Sequence, residues 1–334
     1  MAEGRLIQRG AARTVVSAVG GSVSTIIDEG RVYRVHTFTG SGALTVPNTS
    51  VIEPIQCLVV GGGGGGAATP GQHKGGGGGA GGLVFVPHLQ VNPGEYPIVV
   101  GAGGASVGQT STFSPTPGNA GQDSSFASIV ALGGGRGGQQ DVTSASLNGG
   151  SGGGGHYGLD GGVGLQPSQS GNSGSPFGFG NDGGSGGLDH GRGGGGAGDV
   201  GRNSDQGTQD GTQRSGAWSG GNGLNEVVID GKVYNFAQMF GAVNGEIVAG
   251  EAWFAGGGGS GENASGDDSY GAGGLGGGGR GAYQNSDYTG TTWGTDSSAG
   301  EAGLPNTGGG GGGARQGIGA AGGSGIVIIR YRIG

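Results

Sequence analysis

Cysteine is almost missing from this chain. Cys57 is the only one, so an intrachain disulfide framework is excluded. It lies within Ile55-Gln56-Cys57-Leu58-Val59-Val60 and reads as a buried small hydrophobe. Proline numbers only 11 and no strict Gly-X-Y period exists, which excludes a collagen helix. Basic charge is short as well. The formal net charge is −8, which argues against a nucleic-acid binder on electrostatic grounds. Long apolar runs are missing. The first 30 residues hold no apolar core of the kind a secretory signal needs, and no stretch is long enough to suggest a membrane span. The expectation is synthesis in a host cytoplasm, no membrane insertion, and exit by a route other than general secretion.

Motifs that carry chemistry are equally scarce. G-x-G-x-x-G recurs, but glycine abundance makes it a chance pattern, and no strand–turn–helix unit surrounds it. Lys74 and Lys232 are the only lysines, and neither sits in a phosphate-loop pattern. His36, His73, His88, His156 and His190 are scattered without metal-ligand spacing. Asp267-Asp268 lies in a glycine-serine loop, but the twelve-residue calcium pattern is absent. No serine sits in a nucleophile elbow between strand and helix. No cofactor is expected. Paired carboxylates for sugar cleavage are a matter of spatial spacing, so a polysaccharide depolymerase stays open. The N-x-[ST] matches at Asn48 and Asn263 read as chance.

What the chain has in quantity is glycine: 98 of 334 residues, about four times the usual share. Ordering a glycine costs roughly 0.5–1 kcal/mol more than ordering an alanine. Over the whole chain that approaches 50–100 kcal/mol, on the order of the cost that leaves other chains disordered. Disordered chains, however, carry high charge and few apolar residues. This chain is 11% charged and 31% hydrophobic. An ordered alternative exists. Side-chain-free tracts in the polyproline-II conformation approach closely and hydrogen-bond laterally. Each such bond contributes roughly 1 kcal/mol net, so a dense bundle offsets the entropy.

Apolar islands recur between the tracts. Residues 32–38 (VYRVHTF) and 43–46 read as strands around a Gly40-Ser41-Gly42 turn. Residues 51–60, 83–91, 96–100, 125–132, 226–230, 233–236, 246–254 and 326–333 (IVIIRYRI) follow as further strands. Asn92-Pro93-Gly94 marks a turn and Asp230-Gly231 a hairpin. For residues 233–243 the helix and strand readings are close. The expected fold is all-β, with short strands and long glycine tracts packed as polyglycine-II-like bundles. Four stretches divide it: an arm at 1–19, a β/glycine region at 20–132, a glycine/polar region at 133–223, and a β/glycine region at 224–334 that closes the same domain.

The order of strands and tracts carries a resemblance. His36-Thr37-Phe38-Thr39-Gly40-Ser41-Gly42-Ala43-Leu44-Thr45-Val46-Pro47, then Leu58 to Gly66, then Gly75 to Gly104, Ser124 to Gly138 and Asn306 to Tyr331 resemble, in sequence order, the glycine-rich domain proteins of tailed-phage tail fibres and related virion appendages. The resemblance runs from about Gly20 to Tyr331. It implies a non-enzymatic virion protein, a tail fibre or adhesin subunit, with other tail or capsid proteins and a host surface glycan or outer-membrane protein as partners. By analogy with phage fibres it implies a homotrimer, although tract packing within one chain also permits a monomeric tip. Arg5, Arg9 and Arg13 give the arm a basic excess suited to anchoring on a particle; a solvated tail is the alternative. The insert around Tyr283, Tyr288 and Trp293 matches no shared pattern and has the aromatic-polar composition of binding loops. Receptor contact and packing against tract ends are both open for it. A head-decoration or capsid-fibre protein, and an extracellular or ice-binding protein, share these motifs.

Overall fold

Alternation inside the apolar runs decides the architecture. The computed structural model describes residues 18–48, 54–69, 74–108, 118–139, 143–156, 158–166, 177–185, 190–203, 218–263, 270–284, 299–315 and 317–333. One sheet contains β1 (Ser22–Asp28), β2 (Arg31–Phe38), β4 (Ile55–Val60), β5 (Leu83–Leu89) and β13 (Ile326–Arg332), in the order β1-β2-β13-β4-β5, with Gly178–Phe179 on the β5 edge. A second sheet holds β3 (Gly42–Val46), β6 (Gly94–Val99), β7 (Ser124–Phe126) and β8 (Ile129–Ala131), in the order β8-β7-β6-β3. Every pairing between these named strands is antiparallel.

The larger sheet is buried on both faces, which is why its central strands read as unbroken apolar runs. Successive side chains point to opposite faces. Cys57, Val59, Val84, Val86, Val327 and Ile329 pack on the second sheet with Leu44, Ile98, Phe126 and Ile129. Leu58, Val60, Leu83, Phe85, Ile326 and Ile328 pack on a separate island. That island is β9 (Glu226–Ile229), β10 (Lys232–Asn235), the one-turn helix α1 (Phe236–Phe240), β11 (Glu246–Val248) and β12 (Glu251–Trp253). Tyr234, Phe236 and Phe240 from the island surround Phe85, and Phe254 packs edge-on against Phe236. Burial of Cys57 between the sheets pushes its thiol up to about 12, so the thiol stays protonated and inert.

Several expectations are refined. The strands flanking Gly40 do not pair: β2 lies between β1 and β13, while β3 pairs with β6 in the other sheet. The Asn92-Pro93-Gly94 corner likewise carries the chain from one sheet to the other. Residues 125–132 and 246–254 each form a hairpin rather than one strand. The helix and strand readings of 233–243 are both right in part. β10 ends where the Asn235 side chain accepts the Gln238 N–H at 3.0 Å, and α1 stops at Gly241 with φ +86°. The Asp230-Gly231 hairpin has both central residues left-handed, at +49° and +77°, as a type I′ turn requires. Strand β1 (SVSTIID) has no counterpart among the expected strands; it is mostly exposed at the sheet edge and carries no long apolar run.

The strands near their ends become glycine tracts, and the tracts form a lattice. In tract 61–67 the N–H groups turn by a third of a revolution per residue, the symmetry of a polyproline-II helix. Gly61, Gly64 and Ala67 donate to Gly82, Gly79 and Gly76. Gly62 and Gly65 donate to Gln122 and Asn119, and Gly63 and Gly66 to Gly323 and Ala320. The carbonyls of Gly62 and Gly65 accept from Gly134 and Gly137, those of Gly64 and Ala67 from Gly311 and Ala314, and that of Gly63 from Gly104. Three tracts on the donor side and three on the acceptor side make six neighbours, the hexagonal packing of polyglycine II. Tract 75–82 is enclosed in the same way by 61–67, 132–138, 151–154, 192–195, 258–261 and 308–314. Described glycines of 133–223 such as Gly134, Gly135, Gly153, Gly154, Gly194, Gly195 and Gly221 are thus lattice members.

Close approach, not backbone freedom, demands glycine inside the lattice. A Cβ on Gly64 would stand 2.0 Å from the Gly135 carbonyl oxygen, one on Gly78 2.0 Å from that of Gly64, and one on Gly310 2.0 Å from that of Gly78. At the lattice root the demand is different. Gly276 and Gly277 turn the chain at φ +99° and +89°, and their N–H groups donate to Glu246 Oε2 at 2.7 and 2.8 Å. That buried carboxylate caps the corner between sandwich and lattice.

Candidate functional site: the two ends of the glycine lattice

The strands deliver all the tracts to one side of the sandwich, and this gives the molecule two ends. Val60 leads into tract 61–67 and Gly325 leads into β13 at the sandwich. A tract of seven residues at ~3.1 Å per residue therefore reaches roughly 20 Å beyond the strands. Tyr331 lies five residues into β13, away from the lattice.

At the sandwich end the first described residue, Ala18, is buried and its N–H donates to the Tyr331 hydroxyl at 2.9 Å. His36 stacks on the Tyr331 ring with centroids 5.6 Å apart. Its Nδ1 donates to the Gly20 carbonyl at 2.7 Å, which leaves Nε2 to accept from the Tyr331 hydroxyl at 3.2 Å. Residues 1–17, with Arg5, Arg9 and Arg13, lie outside the described residues; they join the molecule here.

This junction is poised against protonation. Burial lowers the His36 pKa below its ordinary 6.5, the Gly20 carbonyl opposes the shift, and Arg34 reinforces it. The folded state therefore takes up this proton later than the unfolded chain does. The stabilisation is complete above about pH 6.5 and is lost as pH falls through the depressed folded value. A thermal-melting series from pH 7 to pH 5 is expected to show Tm dropping, with a flatter profile in His36→Gln. Equal slopes in the two proteins would show that another group controls acid stability.

At the outer end, side chains gather from excursions far apart in sequence. Lys74 Nζ donates to His190 Nδ1 at 2.8 Å. The His190 ring stacks on Trp218, with centroids 4.9 Å apart and planes 25° from parallel. The Arg280 guanidinium lies 4.7 Å from the Tyr270 ring centroid and 2.8 Å from Glu301 Oε1. The hydrogen bond to Tyr270, with Glu301 adding to it against a desolvation cost, raises the Arg280 pKa. Both members of that ion pair are well exposed, so it contributes ~0–1 kcal/mol at most.

Glu262–Asn263 and Tyr283–Gln284 form a parallel two-residue ladder at this end, beside Ala314–Arg315. The segments that leave there include 264–269 and 285–298. Tyr288 and Trp293, and Asp267 and Asp268, lie outside the described residues. The Tyr283 backbone does belong to the outer-end ladder. Sequence motifs missed the side chains at this end because each comes from a different excursion. One signal was present: Lys74, His190 and Tyr270 each stand immediately before a glycine tract that runs back towards the sandwich. Among the described residues no group of three His, Cys, Asp or Glu could hold a metal ion, and no helix is long and apolar enough to cross a membrane.

A family model described as a glycine-rich domain matches residues 37–332, from within β2 to the last residue of β13. A search of curated proteins finds no significant match.

Proposed function

The chain belongs to the glycine-rich domain family, and from that premise we propose that it is a structural, non-enzymatic subunit of a bacteriophage virion, a tail fibre or adhesin whose outer end meets the host cell. The observation that carries the reading is the separation of the two ends. The arm with Arg5, Arg9 and Arg13 joins at the sandwich beside Tyr331, while the aromatic-polar insert leaves from the far side of the lattice beside Tyr283. The lattice between them is held by backbone bonds with neighbours on every side. Loops at its outer end can therefore change length and side chains without disturbing the packing. That suits a protein whose tip must match a host surface glycan or outer-membrane protein.

The arm docks on other tail or capsid proteins in this reading. Assembly as a homotrimer belongs to the same proposal. The central tracts find all their neighbours within one chain, so three copies would associate through surfaces outside the lattice. Light scattering of the purified chain measures this directly, and a mass of one subunit would remove the trimer.

The contact assignment is tested by replacing residues 285–298 with a glycine-serine segment of equal length. Purified full-length protein is expected to compete with particles carrying this chain for adsorption to their host. The replacement protein should keep the parental Tm and lose at least 10-fold in competition. Undiminished competition would refute the insert as the contact. Particles labelled on the head rather than the tail by an antibody to the chain would favour a head-decoration protein instead.

A further inference from the structure

We propose that a cleft on the flank of the molecule, where the lattice meets the sandwich, is a second binding site for the pyranose rings of a neutral oligosaccharide. It goes beyond the function proposed above and does not depend on it, because none of its residues belongs to the outer end. The cleft holds about 570 Å³, within the ~300–1,000 Å³ typical of ligand pockets. Two half-buried aromatic rings line it, Phe179 from the sheet edge and Trp253 from β12. Polar residues line it with them: Asp199, Glu226, Arg202 and Asn222.

Carbohydrate recognition needs this combination. The C–H face of a pyranose ring packs on an indole, whose apolar body and N–H suit an amphipathic ligand. Sugar hydroxyls both donate and accept, so they need carboxylate acceptors and guanidinium donors at the rim. Opposed charges in the lining, two carboxylates against one guanidinium, suit an uncharged ligand better than an anion.

Part of the lining is fixed before any ligand arrives. The N–H groups of Gly198 and Asp199 both donate to the Asn222 carbonyl, at 2.9 and 3.0 Å, and the Arg202 N–H donates to Ser219 at 3.0 Å. The Asn222 side chain donates to Asp199 Oδ2 at 3.1 Å and accepts the Leu275 N–H at 3.0 Å. One Asp199 oxygen is thereby held by the Asn222 amide. Neither Glu226 nor Arg202 is engaged by another described side chain. The backbone and the Asn222–Asp199 pair are thus set beforehand, while Glu226 and Arg202 keep their polar groups for a ligand at the ordering cost of two flexible side chains.

The test titrates full-length protein with maltohexaose, cellohexaose, mannohexaose and galactohexaose, read by calorimetry and tryptophan fluorescence. At least one is expected to bind, with Trp253→Ala weakening it 10-fold or more and Glu226→Gln weakening it several-fold. Trp253→Phe keeps a stacking surface and should retain most of the affinity; it also guards against a folding defect in the alanine variant. The protein with residues 285–298 replaced should bind the same sugar unchanged, which separates this site from the outer end. No binding of any of the four sugars, or binding indifferent to both Trp253 substitutions, would overturn the proposal.

Discussion

Gly64→Ala, Gly78→Ala and Gly310→Ala are each expected to prevent folding or to lower stability by more than about 4 kcal/mol, although each adds one methyl group. Elsewhere, Gly→Ala at a position of ordinary φ stabilises by ~0.4–1 kcal/mol, because alanine has less entropy to lose. None of these three glycines has a positive φ, so backbone preference alone would favour the substitution. Space forbids it. The added carbon would sit 2.0 Å from a carbonyl oxygen in each case, and the neighbour that must yield is backbone hydrogen-bonded on other sides. A tract cannot retreat alone without stretching bonds worth ~1 kcal/mol each, added to the ~1–3 kcal/mol of ordinary overpacking. Gly40→Ala is the control, since nothing lies within 4 Å of its Cβ position. Urea unfolding followed by tryptophan fluorescence separates the cases. Lattice variants that unfold near the parental midpoint would mean the tracts are not packed as described.

Arg330→Met is the second large effect, with an expected loss of about 3 kcal/mol. Arg330 is only 4% exposed and lies in the middle of the larger sheet. Its guanidinium meets Asp28 Oδ2 at 2.9 Å, Gln56 Oε1 at 2.5 Å and the Met239 carbonyl at 3.1 Å. It also lies 4.3 Å from the Tyr33 ring centroid. Burial lowers the Arg330 pKa while the bond to Asp28 opposes that shift. The side chain ties β1, β4 and α1 to β13. Methionine fills most of the volume but leaves the Gln56 and Met239 oxygens and the Asp28 carboxylate without their donor. Replacing both partners with apolar groups often costs less than removing one. The double variant Arg330→Met/Asp28→Leu should therefore lose less than Arg330→Met alone. A single variant within 1 kcal/mol of the parent in urea unfolding would show that the cluster contributes little to holding the island on the sheet.

Much of the framework was readable from local pattern. Strands β2, β5, β9 and β13 follow from apolar runs, and the Asp230-Gly231 turn from its dipeptide. The arrangement of the candidate sites was not readable. Lys74, His190 and Trp218 meet only because tracts from three excursions end at the same height. Asp199, Arg202, Glu226 and Trp253 share a cleft although the lattice chain folds back between them.

The sequence by itself determined that this protein is a β framework with side-chain-free tracts between its strands, because strand period and glycine runs are local properties. Only the tertiary structure decided which tract lies beside which, and that the strands around Gly40 part into different sheets. The physical reason is that a run of glycines carries no side-chain code for its partner. Each tract's neighbours are set by where the sandwich strands release it, and every polar or aromatic group beyond the tract is placed by that packing.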